Sequence, residues 1–382
     1  MAGYTGISKQ IFMDRVMKMA QIARGKGLDG AFIFSDEYRA GFTTYFSDYK
    51  PINVIEESPQ GVFIHPDGTV TLFLGTINAQ AAKKVTWISD VRDIATIGAY
   101  FEALRDQKGA PLLIGLSGQD LLPVKYFKRL LNLLSGNDYV DLDADLVLMR
   151  QVKVDEEIEL AKRAAAVGDL SLKRCIDQLR TEKNLTEIDL CATAEYVMKS
   201  NGCDLSCATV LSSGLNTVNP TWRPTHRVIQ EGEAVLIDVA PAYRGYATDV
   251  ALTVINGKGT QEQEDVCRIS RDVVIEAIED LKPGMPASEI YRKFLARAKK
   301  YHVEEYFLPY AKGLRAVGHS IGLDCVERPN LDDDASFIMV PGMTLATKFD
   351  LHGFSWGGTR TEAVMLVEND RCVSLNRYLY EI

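Results

Sequence analysis

The stretch that most narrows what this chain can become is VLIDVAPAYRGYATDVALTV, residues 235–254. It reads as two strands rich in β-branched and apolar residues joined by a short turn at AYRGY, and each strand carries a single aspartate, Asp238 and Asp249. A turn centred between Tyr243 and Arg244 places the two aspartates directly opposite each other on one face. A bulge at Gly245 would shift that register by one. Facing carboxylates repel, so the pair needs a cation between them: a metal, a lysine or part of a substrate.

A second stretch has the opposite charge. PGMTLATKFDLHGF, residues 341–354, is strand-like and largely apolar, yet carries Lys348 in its middle. An ammonium taken out of water is costly unless it meets an anion. Two further polar residues interrupt apolar surroundings: His319 in AVGHSIGLDCVERP, and Glu362 in GGTRTEAVMLV just before a buried-looking strand. Structural roles are open to each, a satisfied core histidine and a surface glutamate.

The rest of the chain separates into two regions. Apolar residues at helical spacing from Ser8 to about Gly27, a short strand GLDGAFIF, strands in QGVFIHPDGTVTLFLG, VTWISDVRDI and APLLIGLSG, and helices GAYFEALRDQ and VKYFKRLLNLL form an alternating α/β domain over residues 1–150. The acidic first turn and apolar spacing after Asp155 then predict a long amphipathic helix. Further helices (LTEIDLCATAEYVMKSNG, TQEQEDVCRISRDVVIEAIEDL, ASEIYRKFLARAKKY) lie between hairpin-forming strands (EAVLIDVA, YATDVALTVI, MTLATKFD, EAVMLVEN), which predicts an α+β domain over residues 151–382 with an antiparallel sheet.

Composition restricts the partners. A net charge of −9 and an isoelectric point near 5.3 lack the basic footprint of a nucleic-acid or acidic-membrane surface, leaving a small molecule or peptide. No apolar run approaches the roughly 18 residues of a membrane span and the start is not signal-like, so a cytoplasmic location is expected. The seven cysteines include no CxxC pair, which suits reduced thiols.

These residues, in this order, resemble the pita-bread superfamily of creatinase, prolidase, aminopeptidase P and methionine aminopeptidase. Asp238, Asp249, His319 and Glu362 match four of that family's five metal-ligand positions; SSGLNT, LKPGM and VPGM match its turns; LMRQVKVDEEIELAKRAA is similar to its entry helix. The first 150 residues are similar to the amino-terminal domain of the creatinase and prolidase branch. The resemblance implies an α/β amino-terminal domain, a pita-bread carboxy-terminal domain with a curved, mainly antiparallel sheet, and a homodimer.

The departures are equally specific. The family's first metal-binding glutamate falls on Lys348, and the positions of its substrate-side histidines fall on Thr221, Arg315 and Val326. In the relatives the replaced glutamate and the histidine serve one ion, so the resemblance implies loss of the histidine-side ion. Asp238, Asp249 and Glu362 against Lys348 leave about two negative charges. These are balanced by at most one divalent ion (Mn, Fe, Zn or Co) at Asp238, Asp249 and Glu362, or by none and a cationic substrate. Trp222, Arg315 and His352 are the substrate-binding candidates: a cation–π wall, a carboxylate clamp and a strand-end polar group. His319, Glu362 and Lys348 are the catalytic candidates, and Asp350 is a substitute ligand should the strand bulge.

The implied activity is hydrolysis of an amide- or amidine-type carbon–nitrogen bond in a small zwitterionic or cationic metabolite, in the manner of creatinase-like branches. The alternatives are a divergent Xaa-Pro peptidase with one metal, a lyase like the dimethylsulfoniopropionate lyases built on the same scaffold, and a non-catalytic family member.

Overall fold

The computed structural model describes residues 3–52, 59–121, 138–219, 221–307, 313 and 316–382. The chain divides into two compact units, Met1–Arg150 and Gln151–Ile382.

The first unit is a six-stranded mixed sheet flanked by helices. Its strands are β1 (Gly30–Ser35), β2 (Gln60–Ile64), β3 (Val70–Leu74), β4 (Asp90–Asp93), β5 (Leu113–Ser117) and β6 (Asp138–Asp141), in the order β4-β3-β2-β1-β5-β6. β1 pairs antiparallel with β2 and parallel with β5, and β2 forms a hairpin with β3. The helix Lys9–Gly25 buries Phe12, Val16, Met19, Ala20 and Ala23, the spacing of a single helical face. Phe32, Phe34, Phe63, Phe73 and Phe101 fill the core on one side of the sheet. VTWISDVRDI yields only the short β4, and a helix at Asp143–Gln151 follows β6. The expected helix VKYFKRLLNLL lies outside the described residues.

The second unit begins on the helix Asp155–Thr181. Its first turn is acidic for a local reason: the Val154 N–H and the Tyr246 hydroxyl both donate to the Glu157 carboxylate, at 2.9 and 2.6 Å. The strands are β7 (Cys203–Leu205), β8 (Val210–Ser213), β9 (Ala234–Val239), β10 (Pro241–Tyr243), β11 (Tyr246–Ala247), β12 (Val250–Ile255), β13 (Gly318–Ser320), β14 (Glu327–Leu331), β15 (Thr344–Phe354), β16 (Gly357–Val367) and β17 (Cys372–Ser374). β14-β13-β15-β16-β12-β9-β8, with β17 on β16, form a curved antiparallel sheet.

Alternation along these strands decides where the site can be. Val235, Ile237, Val239, Val250, Leu252, Leu345, Phe349, Leu351, Ala363 and Met365 join one buried cluster with Leu172, Ile176, Val273, Val274 and Phe294 of the helices Asp155–Thr181, Gln261–Glu279 and Glu289–Lys300. A side chain at Gly168 would meet Val250 Cγ1 at 2.8 Å, so glycine is what lets the long helix lie this close to β12. With successive residues pointing to opposite faces, Asp238, Ala251, Lys348, Asp350, Arg360 and Glu362 share the other face.

The β9–β12 register differs from the sequence expectation. Arg244 and Gly245 both have positive φ, 48° and 88°, the requirement of a two-residue type I′ turn. The hairpin is therefore centred one residue later than expected. Asp238 consequently lies opposite Ala251, and Asp249 falls in the break between β11 and β12. No helix among the described residues is long and apolar enough to cross a membrane, and all seven cysteines are free.

Candidate metal centre and active site

Two cross-strand charge pairs stand side by side on β15 and β16. Lys348 is the register partner of Glu362, and Asp350 of Arg360. The Lys348 ammonium is 3.9 Å from Glu362 Oε1. At about 4 Å and an intermediate effective permittivity the attraction is about 4 kcal/mol before desolvation offsets it. The glutamate's charge raises the lysine pKa against the effect of burial.

Arg360, which sequence reasoning passed over, is the most connected charge on this face. Its Nε and Nη2 donate to Asp350 Oδ1 and Oδ2 at 2.8 and 3.3 Å, and its Nη1 donates to Asp238 Oδ2 at 2.8 Å. All three residues are buried. Burial pushes the Asp350 carboxyl up, but the doubly bonded guanidinium outweighs it and holds the group below the usual carboxylate range. Asp238 has one such bond and the Glu362 charge nearby, so burial prevails and its pKa rises. Asp350 is thus committed to Arg360, and the strand's irregularity lies at His352/Phe354, beyond it. The signal that would have found Arg360 was already available: it is two residues before Glu362 on the same strand face, where the logic applied to Lys348 holds equally.

The donor atoms that converge belong to Asp249, His319 and Glu362, all within 4.8 Å of one another, the one such cluster among the described residues. The retained ion was expected at Asp238, Asp249 and Glu362, with the histidine side lost. The geometry instead gathers the histidine-side donors and gives one Asp238 oxygen to Arg360.

The cluster's chemistry fits a cation. His319 Nδ1 is 3.0 Å from the Ser320 carbonyl oxygen, so Nδ1 donates and a neutral ring turns its Nε2 lone pair toward Asp249 Oδ2 at 3.6 Å. Glu362 Oε1 is buried without a hydrogen-bond partner among the described residues. Three acceptors therefore face one another, and a proton or a metal ion must relieve them. Both titratable partners show that strain. Burial, with Asp249 beside it, raises the Glu362 pKa; burial lowers that of His319, but the Asp249 contact and the Glu362 charge outweigh it and the net shift is upward. Asp249 Oδ2 also lies 3.5 Å from the Cys325 thiol, which donates to it.

The remaining candidates are placed differently. Trp222 donates its indole N–H to the buried Glu187 at 3.3 Å, which also accepts from Ser213 and Thr225. Its ring is therefore held by a structural carboxylate. His352 is half-buried, with its Nε2 unpartnered among the described residues and its pKa lowered by burial. Thr221 and Val326 are exposed. Arg315 lies outside the described residues.

The sequence profile of metallopeptidase family M24 matches residues 159–369, more than half of the chain. The chain belongs to metallopeptidase family M24. It is an enzyme of that family, a hydrolase acting on carbon–nitrogen bonds, and its residues 15–152 match the creatinase/prolidase N-terminal domain. Among relatives, the Xaa-Pro dipeptidase of Pyrococcus furiosus is 25% identical over 360 residues, covering 93% of this chain and 96% of its own. That of Lactobacillus helveticus is 24% identical over 359 residues, covering 92% and 94%. The crystal structure of the prolidase from Pyrococcus horikoshii OT3 superposes with a TM-score of 0.83 at 21% identity, covering 95% of this chain and 98% of its own, a likeness of fold. For this M24 member, Asp249, His319 and Glu362 are the residues that fit a divalent ion, and the Lys348 ammonium stands beside them, 3.9 Å from Glu362 Oε1.

Proposed function

We propose that this M24 enzyme hydrolyses an amide- or amidine-type carbon–nitrogen bond in a small zwitterionic or cationic metabolite, at a centre that holds at most one divalent ion. The observation that carries the reading is the convergence of Asp249, His319 and Glu362 beside Lys348. An ion held by those three residues would supply Lewis acidity and a water of lowered pKa.

The chain's own groups account for the rest. The Ser320 carbonyl fixes the His319 tautomer and points Nε2 inward. Arg360 holds Asp238 and Asp350 in place and cancels charge at one end of the face. Lys348 offers a fixed positive charge beside Glu362, where negative charge developing on a substrate oxygen would be stabilised. Counting Asp238, Asp249, Asp350 and Glu362 against Lys348 and Arg360 again leaves two negative charges; one divalent ion brings this set to neutrality, which suits a substrate without net charge.

The names of the relatives support a second reading, cleavage of Xaa-Pro dipeptides; the resemblance read from the sequence sets Thr221 and Val326, both exposed, at positions where that reading calls for histidines. A turnover panel decides between them: Xaa-Pro dipeptides against N-acyl, N-carbamoyl and guanidino acids, each with Mn, Co or Zn and with chelator. Release of product from the second group, carrying one oxygen from labelled water, supports the proposal. Efficient Xaa-Pro cleavage with no turnover of the others contradicts it, and an alkene product without solvent oxygen would mark a lyase.

A further inference from the structure

Lys348 has unspent hydrogen-bonding capacity. Among the described residues its ammonium makes no hydrogen bond, its closest carboxylate oxygen is Glu362 Oε1 at 3.9 Å, and a quarter of its side chain remains accessible. The contrast with Arg360 is direct: that guanidinium, on the adjacent pair of the same two strands, spends Nε, Nη1 and Nη2 on carboxylates at 2.8–3.3 Å. An ammonium carries three donors, and leaving them unmade in a partly desolvated site is unfavourable. The neighbouring side chains of this face do not take them: Ala251, Ala346 and Val364 offer no side-chain acceptor, and both Asp350 oxygens are bonded to Arg360.

We propose that Lys348 is the receptor for an anionic substrate oxygen, a carboxylate or the oxygen that gains charge as the carbon–nitrogen bond is attacked. This deepens the hydrolase reading and rests on it for the role, though not for the binding itself. Glu362 on the next strand keeps the lysine charged and restricts where it can swing, while its loose 3.9 Å spacing leaves the donors for a ligand. Anions without a matching geometry have the acceptor cluster of Asp249, His319 and Glu362 against them, which gives the position selectivity as well as affinity.

The test uses the full-length protein without added metal and two probes, acetate for a planar carboxylate and methylphosphonate for a tetrahedral oxyanion. Binding is followed by calorimetry and by mass-spectrometric measurement of Lys348 acetylation by a small acylating reagent. At least one probe is expected to bind and to protect Lys348 several-fold; Lys348→Arg retains binding, while Lys348→Met and Lys348→Gln lose it at least ten-fold. Preference for acetate identifies a substrate carboxylate, and preference for methylphosphonate the reacting oxygen. Equal binding by the folded Met and Gln variants, or no binding and no protection in the native protein, overturns the proposal. The hydrolase reading stands or falls separately, on the turnover panel.

Discussion

Arg360 holds Asp350 across the β15–β16 ladder and reaches Asp238 on β9 with its remaining nitrogen at 2.8 Å. One guanidinium thus ties together two carboxylates from different parts of the sheet. Breaking a buried ion pair from one side leaves an uncompensated charge, at a cost of about 3–5 kcal/mol. Arg360→Met is expected to lose about that much in urea denaturation. Adding Asp238→Asn and Asp350→Asn to it should recover a large part. A loss below about 1 kcal/mol for Arg360→Met alone would show that the triad is not held as described.

The same triad sets a dependence on acid. Asp350 has its folded pKa below the ordinary carboxylate value that it regains on unfolding. Its contribution is therefore fully present above the unfolded value and is lost as pH falls through the folded one. Asp350→Asn should flatten the acid limb of a stability–pH curve relative to the native protein and change its neutral-pH slope little. Parallel acid limbs for the two proteins would contradict this.

Metal and protons compete for the same atoms. His319 and Glu362 both have raised pKa values, so each keeps its proton to higher pH than usual, and an ion must displace it. Affinity for a divalent ion should climb with pH through and above the ordinary histidine range, with proton release detectable by calorimetry in buffers of different ionisation enthalpy. Affinity independent of pH between 6 and 8, pH values chosen to bracket the ordinary histidine pKa, would exclude these two as the ligands.

Glu187 tests the loop that carries Trp222. Buried, it accepts from the Ser213 N–H and hydroxyl, the Thr225 N–H and hydroxyl, and the Trp222 indole. Glu187→Leu leaves those donors without their acceptor and should cost about 3 kcal/mol or more. Trp222 fluorescence should shift to the red as the ring becomes wetter. An unchanged spectrum would mean the indole is held elsewhere.

Much of this was legible in the chain. The helix near Asp155, the strands around Asp238 and Glu362, and the lysine that needed an anion could be read because periodicity and buried charge are local signals. The hairpin register was not, because the one-residue difference between a turn centred at Tyr243/Arg244 and one at Arg244/Gly245 rests on which residues adopt positive φ. That error set Asp238 against Asp249, when its strand partner is Ala251 and its charge partner is Arg360. Arg360 was hidden for a second reason: its partners are one strand and two strands away, a distance no sequence window spans.

The central claim, that Lys348 holds this M24 site to a single ion, is tested most directly by metal stoichiometry. Native protein and Lys348→Glu are equilibrated with Mn, Co or Zn, dialysed and analysed for bound metal per chain. The expected result is at most one ion in the native protein and more in Lys348→Glu, with Lys348→Met no higher than native. Two ions bound by the native protein, or a Lys348→Glu variant that gains none, would contradict the role given to the lysine.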